Sequence, residues 1–441
     1  MSDVHTTDLG VGGHAHADAT ERAYAVYVLV VLTVVYTVNF MDRYAVVGMA
    51  EHIKADLLLT DTQLGLLTGF AFSLLYAVVG FPMAILADRL GHVRVIAGSV
   101  ALWSVMTFLG GRATGFLSLA ATRIGVGIGE AGGTPPAHAI LSQTFSRERL
   151  PLAMGVYSCG AGLGLTLGLV LGAAAANAFG WRNGFALMAL PGLILVPLLL
   201  FTIRVAGPGT RPEPVTRAMA VGAMRSVLCD RRLTLLALSI GVAGFSGFAN
   251  LAWLPSLFAR RFGADVAGGL DLGVALGLGN LAGIVLGGPL CALAEQRFRV
   301  SLYRVCSVSA ALAVIPYAVA YASDSSKWFA ATACAGLFLH SLIIAPVMTA
   351  MQRLARPSEK ALASAMVVFS IAVFGSGAGP FFVGLASDVL TTSTREASLT
   401  LGLQLSLVAY FAAVVLFELA QRAVQRHRLH SVTGMRESPR P

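Results

Sequence analysis

The segment Ala23–Ala50 reads AYAVYVLVVLTVVYTVNFMDRYAVVGMA, and its composition decides how the rest of the chain is interpreted. It is longer than the roughly 20 apolar residues that a helix needs to cross the hydrocarbon core of a bilayer. An acid and a base, Asp42 and Arg43, nevertheless stand side by side within it. A charge at the centre of a bilayer costs roughly 2.5–3.5 kcal/mol on insertion scales, so a pair at this depth indicates a functional site. The alternative is a pair that anchors a helix end at the water interface.

The whole chain has the composition of a membrane protein. Of its 441 residues, 56% are hydrophobic and 12% are charged, and the mean hydropathy is +0.76. A soluble domain carries about 25% charged residues. The net charge of +9 would suit nucleic-acid binding, but the basic residues are spread over short loops, so we predict no nucleic-acid partner. The five cysteines show no CxxC spacing, and we predict no metal site, no disulfide and no cofactor.

Twelve apolar blocks are long enough to span a membrane, and only helices satisfy their own backbone hydrogen bonds in lipid. The blocks lie at about residues 23–50, 62–87, 93–111, 114–141, 152–177, 184–203, 232–258, 270–294, 301–322, 328–352, 361–388 and 398–420. The sequence therefore predicts an all-α membrane protein with twelve transmembrane helices.

The distribution of Lys and Arg predicts the orientation. With the N-terminus inside, 22 of these residues fall in inside segments and 7 in outside segments. Inside loops carry the excess of positive charge, so both termini are expected in the cytoplasm. We expect a multi-pass protein of a bacterial inner (plasma) membrane.

A Pro-, Gly- and Arg-rich linker divides the apolar blocks into two groups of six. A weak internal repeat supports the division, since Gly80-Phe81-Pro82 recurs as Gly287-Gly288-Pro289. The predicted organisation is a disordered tail at 1–22, a six-helix half at 23–203, a cytoplasmic linker at 204–231, a second six-helix half at 232–420 and a C-terminal tail at 421–441.

A short loop reads AILADRLGHVR at residues 84–94 and joins the second and third blocks. It resembles the loop signature of the major facilitator superfamily, which carries a Gly, an Asp-Arg pair and basic residues. The resemblance implies that Asp88, Arg89, Gly91 and Arg94 form a clasp that gates the cytoplasmic side. The alternative is a basic membrane anchor without a gating role.

The fourth block carries RIGVGIGEAGG at residues 123–133. Arg123 and Glu130 are seven residues apart, which puts them on one helix face about 10.5 Å apart. Asp42 and Glu130 each have an arginine within reach by sequence spacing, an arrangement that can hold and release a proton. The alternative for Arg123 and Glu130 is a static pair. Pro135-Pro136 predicts a break or kink just beyond.

Three stretches together resemble the spinster branch of the same superfamily: NFMDRY at 39–44, GIGEA at 127–131 and GPFFVG at 379–384. Eukaryotic members of that branch export sphingosine-1-phosphate and lysophospholipids. The resemblance implies a major facilitator fold and a central cavity in which Asp42 and Glu130, with Arg123, couple protons. It also implies that Arg43 is either the partner of Asp42 or a contact for a phosphate headgroup, and we add its neighbours Asn39 and Tyr44 as candidates for substrate binding.

The second half offers fewer polar candidates. Asn250 and Trp253 lie on the seventh block and His340 on the tenth, and these blocks line the cavity in the resembled fold. We name all three as candidates for substrate binding. Ordinary helix packing remains open for Trp253, and a hydrogen bond within the bundle remains open for His340.

The leading hypothesis is a secondary transporter that works by alternating access, couples to protons and moves an amphipathic, lipid-like or organic anion cargo. The alternatives are a polyspecific drug or small organic anion exporter, and a membrane sensor without transport. An enzyme is not expected, because neither HExxH nor GxSxG occurs. Expected partners are a small-molecule or lipid-like substrate, protons and membrane lipids, and we expect a monomer.

Overall fold

The computed structural model describes residues 11–204, 225–263, 266–356, 359–390 and 393–436, and within these ranges the regular structure is helical. Residues 1–10 of the predicted N-terminal tail, residues 205–224 of the predicted linker and the last five residues of the predicted C-terminal tail lie outside the described residues.

The part before the linker contains nine helices among the described residues: α1 (Val11–Gly48), α2 (Ala50–Leu57), α3 (Asp61–Thr68), α4 (Phe70–Leu90), α5 (His92–Gly110), α6 (Phe116–Glu130), α7 (Thr134–Thr144), α8 (Leu150–Phe179) and α9 (Trp181–Thr202). The part after it contains α10 (Arg231–Phe262), α11 (Val266–Phe298), α12 (Leu302–Ala322), α13 (Ser326–Leu342), α14 (Ile344–Leu354), α15 (Lys360–Ser370), a π-helix (Ile371–Ala378), α16 (Gly379–Val389), α17 (Arg395–Ser406) and α18 (Val408–Arg436).

Within the described residues, eleven helical segments are long and apolar enough to cross a membrane. The fourth predicted block, 114–141, is the remaining one, and it folds as the two shorter helices α6 and α7. The break falls after Glu130, and α7 starts at Thr134 with proline in its first turn. Backbone N–H groups in the first turn have no intrahelical acceptor, so the N–H that proline lacks costs the helix no hydrogen bond. Glu130 therefore ends a helix in mid-span.

Glycines of α8 bring that helix into close contact with α1. A Cβ added at Gly168 would lie 2.5 Å from the carbonyl oxygen of Met41, and one at Gly172 would lie 2.6 Å from that of Ala45. Small residues along one stripe allow this approach in lipid. The contact fixes the segment of α1 that carries Asp42 and Arg43.

Two hydrophobic cores hold the helices together. One is built from α1–α9, and the other is centred on α10–α18 and takes in a few side chains of α1, α3 and α8, such as Tyr44 and Leu169. Following the orientation predicted from the sequence, we call the end of the bundle that carries Gly91 the inner end and the end that carries Arg260 the outer end.

Candidate functional site

Asp42 and Arg43 are neighbours on α1 but have different partners, because successive helical residues point about 100° apart. Asp42 is 1% exposed and is enclosed by the first core. The side chain of Arg43 keeps 18% of its surface exposed. The two charges therefore occupy different environments, one closed and one partly open.

Arg43 pairs with Glu130 of α6. Its Nε and Nη2 donate hydrogen bonds to Glu130 Oε2 at 3.0 and 2.5 Å, and Nη2 also lies 3.5 Å from Asn39 Oδ1. The side chain of Glu130 has no exposed surface. Both hydrogen bonds end on one carboxylate oxygen, and Glu130 Oε1 is buried without a hydrogen-bond partner among the described residues.

Asp42 and Arg123 form the second part of the site. Thr107 of α5 donates a hydrogen bond from Oγ1 to Asp42 Oδ2, whereas Asp42 Oδ1 has no partner in the described part of the chain. Arg123 is 2% exposed, and it interacts electrostatically with both Asp42 and Glu130. Its Nε and Nη1 are buried and unpaired within the described residues. Buried polar atoms are normally hydrogen-bonded, so the unpaired atoms on these three charged groups set the site apart from ordinary helix packing.

Aromatic rings surround the guanidinium of Arg43. Its Cζ lies 4.6 Å from the ring centroid of Phe40, 4.4 Å from that of Phe72 and 5.0 Å from that of Tyr76. The Cζ of Arg123 lies 5.7 Å from the Phe72 ring. Cation–π contacts of this kind hold a partly desolvated arginine in place while leaving its N–H groups available.

A cavity of about 110 Å³ opens on Arg43 and is lined from both parts of the chain. Arg43, Tyr44 and Tyr76 face it from α1 and α4, and Phe248 and Ser376 face it from α10 and the π-helix. Arg43 is the charged residue among its described lining residues. The cavity therefore combines apolar walls with one fixed cation. Asn39 is 5% exposed and reaches the site through Arg43.

Asn250 and Trp253 are buried in the second core. Asn250 accepts a hydrogen bond from the Tyr321 hydroxyl at 2.5 Å, and its amide donates to the Ser246 carbonyl at 2.9 Å. Trp253 Nε1 donates to the Pro380 carbonyl at 2.9 Å. Asn250 is 0% and Trp253 is 1% exposed, so the helices would have to rearrange before either could contact cargo.

His340 also packs in the second core and is not among the described residues that line the cavity at Arg43, although its neighbour Phe248 is. It is 6% exposed, and its ring packs edge-on against Phe248 and Tyr410 at centroid distances of 6.0 and 6.1 Å. Its Nδ1 is buried without a hydrogen-bond partner in the described residues. The ring lies so close to Gly247 that a Cβ there would overlap it.

The four candidate gating residues lie at the inner end. Asp88 pairs with His92 at 3.5 Å and its side chain is 56% exposed, and Arg89 and Arg94 are exposed. Gly91 has φ of +96°, a conformation that favours glycine and that forms the tight turn between α4 and α5.

An ionic cluster at the outer end, which sequence reasoning missed, joins the two parts of the chain. Arg260 donates hydrogen bonds to Asp61 at 2.6 and 2.9 Å and to Glu51 at 2.9 Å. Lys54 also pairs with Asp61, and Ser387 donates to Asp61 Oδ2 at 2.7 Å. We call these five residues the outer cluster. In the sequence, this cluster is indicated only by Asp61 just before one apolar block, 62–87, and by Arg260 just after another, 232–258.

Asp388 strengthens the same contact. Its carboxylate accepts hydrogen bonds from the backbone N–H groups of Asp61 and Thr62, at 3.1 and 2.7 Å, and from the Thr62 hydroxyl at 2.6 Å. These N–H groups belong to the first turn of α3, which has no intrahelical acceptors. A carboxylate from α16 thus caps a helix that is more than 300 residues away in sequence.

Comparison with known proteins identifies the family. Residues 32–380 match the model of the Major Facilitator Superfamily. The chain belongs to this family. A curated relative, an MFS-type efflux pump of Mycolicibacterium smegmatis, is 35% identical over 86% of this chain and 87% of its own. The sphingosine-1-phosphate transporter SPNS2 of Xenopus tropicalis is 25% identical over 89% of this chain and 82% of its own.

Among solved structures, a crystal structure of a bacterial homologue of the human lysosomal transporter spinster, inward-facing and unoccupied, superposes with a TM-score of 0.80. It is 25% identical and covers 91% of this chain and 98% of its own. The major facilitator fold and the spinster resemblance predicted from the sequence are confirmed. This member of the superfamily is a multi-pass membrane transporter, not an enzyme.

Proposed function

We propose that this transporter couples protons to the movement of an amphipathic organic anion, with a lipid-like phosphate or carboxylate as the leading cargo. One observation carries the proposal. Arg43 pairs with Glu130, and among the described residues that line the central cavity it is the charged one. The ionised carboxylate of Glu130 and an anionic cargo can therefore compete for the same guanidinium.

The chemistry follows from the geometry. An ionised Glu130 holds the planar fork of Arg43 through two N–H groups. Protonation of Glu130 removes the negative charge and frees the fork for two oxygens of a phosphate or carboxylate. Asp42 and Arg123 provide a second proton-exchanging pair within electrostatic reach of Glu130. The aromatic residues around Arg43 and the apolar walls suit the hydrocarbon part of an amphipathic cargo.

Alternating access supplies the movement in this proposal. The outer cluster and Asp388 tie the two halves together at the outer end, whereas Asp88, Arg89 and Arg94 are exposed at the inner end. This asymmetry supports an inward-facing state, which is also the conformation of the crystallised spinster homologue. In the opposite state, the outer contacts separate and the loop at Asp88–Arg94 closes against the second half.

The experiment uses the purified transporter in liposomes with an imposed pH gradient. Flux of a labelled lysophospholipid or sphingoid phosphate is expected to follow the gradient and to collapse with a protonophore. Equal flux with and without a pH gradient would contradict the proposed proton coupling. If neutral amphiphiles are transported as fast as anions under the same gradient, the proposed contact between Arg43 and an anionic headgroup is wrong.

The second candidate is the export of small organic compounds that are not lipids. The higher identity to the efflux pump, 35% against 25% for the sphingosine-1-phosphate transporter, favours it. The cavity of about 110 Å³ is also small for a long acyl chain in the present state. A competition series decides between the two: lysolipids displace a drug-like probe only if they occupy the same site.

A further inference from the structure

A second concave site lies at the inner end, separate from the cavity at Arg43. It occupies about 600 Å³ between the start of α10 and the last turns of the membrane-spanning part of α18. Arg231, Arg232, Arg422, Arg426 and His427 line it, with Asp230 as the acidic member of its described lining. We call this site the basic pocket. The fold brings these side chains together from positions about 190 residues apart in the chain.

The charges of the basic pocket are only partly neutralised from within. Asp230 binds Arg232 through its two oxygens, at 3.0 and 2.6 Å. Partial burial raises the pKa of Asp230, but the hydrogen bonds from Arg232 outweigh burial and leave that pKa below its usual value. Asp230 is thus ionised and pairs with one arginine. Arg231 and Arg422 have no ion-pair partner among the described residues, and both are exposed.

The surface beside the basic pocket is apolar in the direction of the membrane. Exposed Val408, Phe411 and Val415 follow one another along α18 at helical spacing, and Leu419, which lines the pocket, continues the stripe. Arg422 takes the next position on this face. A helix face that changes from apolar to basic within one turn matches the boundary between acyl chains and headgroups.

We propose that the basic pocket binds the phosphate of an anionic membrane phospholipid, with its acyl chains along the Val408–Leu419 face of α18. Basic pockets between transmembrane helices recognise such headgroups, and arginine binds phosphate oxygens through two N–H groups at once. A bound lipid bridges the first turn of α10 to the 419–427 segment of α18. The site is independent of the cargo proposed above, since none of its residues lines the cavity at Arg43.

Cys229 provides a direct readout, because it is exposed and lines the basic pocket. The rate of its maleimide labelling is measured on the purified transporter in detergent, with Cys229→Ser for the background. The probes are dioctanoyl phosphatidylglycerol, dioctanoyl phosphatidylcholine and inorganic phosphate. Phosphatidylglycerol is expected to slow the labelling in a saturable manner. Phosphatidylcholine and phosphate are expected to leave it unchanged.

The variant Arg231→Gln/Arg422→Gln is expected to raise the half-protecting concentration of phosphatidylglycerol about 30-fold. Arg147→Gln/Arg149→Gln, which removes two exposed charges at another inner loop, is the matched control and should behave as wild type. Arg231→Lys/Arg422→Lys keeps the charge and should retain most of the protection. This result would show that substitution at the two positions does not by itself disrupt the pocket. Arg43→Ala should leave the protection intact.

Several results would overturn the proposal. Equal protection by inorganic phosphate would make the pocket a site for free anions, and equal protection by phosphatidylcholine would show adsorption without charge recognition. Full protection in the Arg231→Gln/Arg422→Gln variant, or its loss in Arg43→Ala, would place the lipid elsewhere. These outcomes do not depend on transport, so failure of the cargo assay leaves them interpretable.

Discussion

Arg43 of α1 reaches Glu130 of α6 and donates two hydrogen bonds to its Oε2, at 2.5 and 3.0 Å, rather than pairing with its sequence neighbour Asp42. Asp42 instead accepts a hydrogen bond from Thr107 of α5 and interacts electrostatically with Arg123 of α6. The site is therefore one direct ion pair between α1 and α6, with Asp42 and Arg123 interacting electrostatically beside it. Protonation of either carboxylate changes the electrostatic attraction between these two helices, and so it can change their relative position.

The first prediction concerns proton coupling. Glu130→Gln keeps the shape of the side chain and removes its charge, so Arg43 loses its anionic partner at every pH. We expect cargo-induced proton movement to be abolished, while exchange of cargo across the membrane without a gradient persists. Asp42→Asn should act in the same direction. The measurement is proton flux with a pH-sensitive dye in liposomes, and unchanged coupling in both variants would contradict the assignment.

The second prediction concerns the headgroup contact. Arg43→Ala removes charge-assisted hydrogen bonds worth about 1.5–3 kcal/mol, so anionic cargo should bind about 10- to 100-fold more weakly. A neutral analogue with the same chain should lose much less. Arg43→Lys retains the charge but not the fork, and an intermediate loss is expected. Binding is followed by isothermal titration, and an equal loss for both analogues would exclude the contact.

The third prediction concerns the outer cluster. Arg260→Gln leaves Asp61, whose side chain is 4% exposed, with Lys54 as its remaining cationic partner, so we expect a cost below the roughly 3–5 kcal/mol of breaking a buried pair outright. We expect a clearly lower unfolding temperature in detergent, a similar loss for Asp61→Asn, and a smaller loss for the double variant than the sum of the two.

The exposed pair of Asp56 and Arg182 at the same end is the matched control. A hydrogen bond from Arg182 lowers the pKa of Asp56, but both side chains are exposed, so Asp56→Asn should leave the unfolding temperature nearly unchanged. Strict additivity at Asp61 and Arg260 would show that the two residues do not act as a pair.

The fourth prediction concerns the contact that positions α1. Gly168→Ala places a Cβ 2.5 Å from the Met41 carbonyl oxygen, which forces α1 and α8 apart at the residue before Asp42. We expect destabilisation of about 1–3 kcal/mol together with weaker coupling. Gly155→Ala on the same helix meets nothing within 4 Å and is the control. Thermal unfolding and proton flux of the two variants are compared, and equal behaviour would contradict the packing argument.

Much of the fold follows from local chemistry. Long apolar runs predict helices wherever they occur, because a backbone in lipid must satisfy its own hydrogen bonds. The stretches NFMDRY and GIGEA single out Asp42, Arg43 and Glu130, since a charge inside an apolar run requires a partner or a function. Pro135-Pro136 predicts a break in this block, but the helix ends earlier, at Glu130, because the prolines are accommodated in the first turn of α7.

Composition and spacing predict which residues lie in the membrane and which charges stand out among them. The tertiary structure decided which of these charges meet. Arg43 and Glu130 are 87 positions apart and Asp61 and Arg260 are 199 apart, and helical spacing carries no information over such distances. The close packing of helices at small residues such as Gly168 brings the paired charges together, and that packing depends on how the intervening helices are arranged.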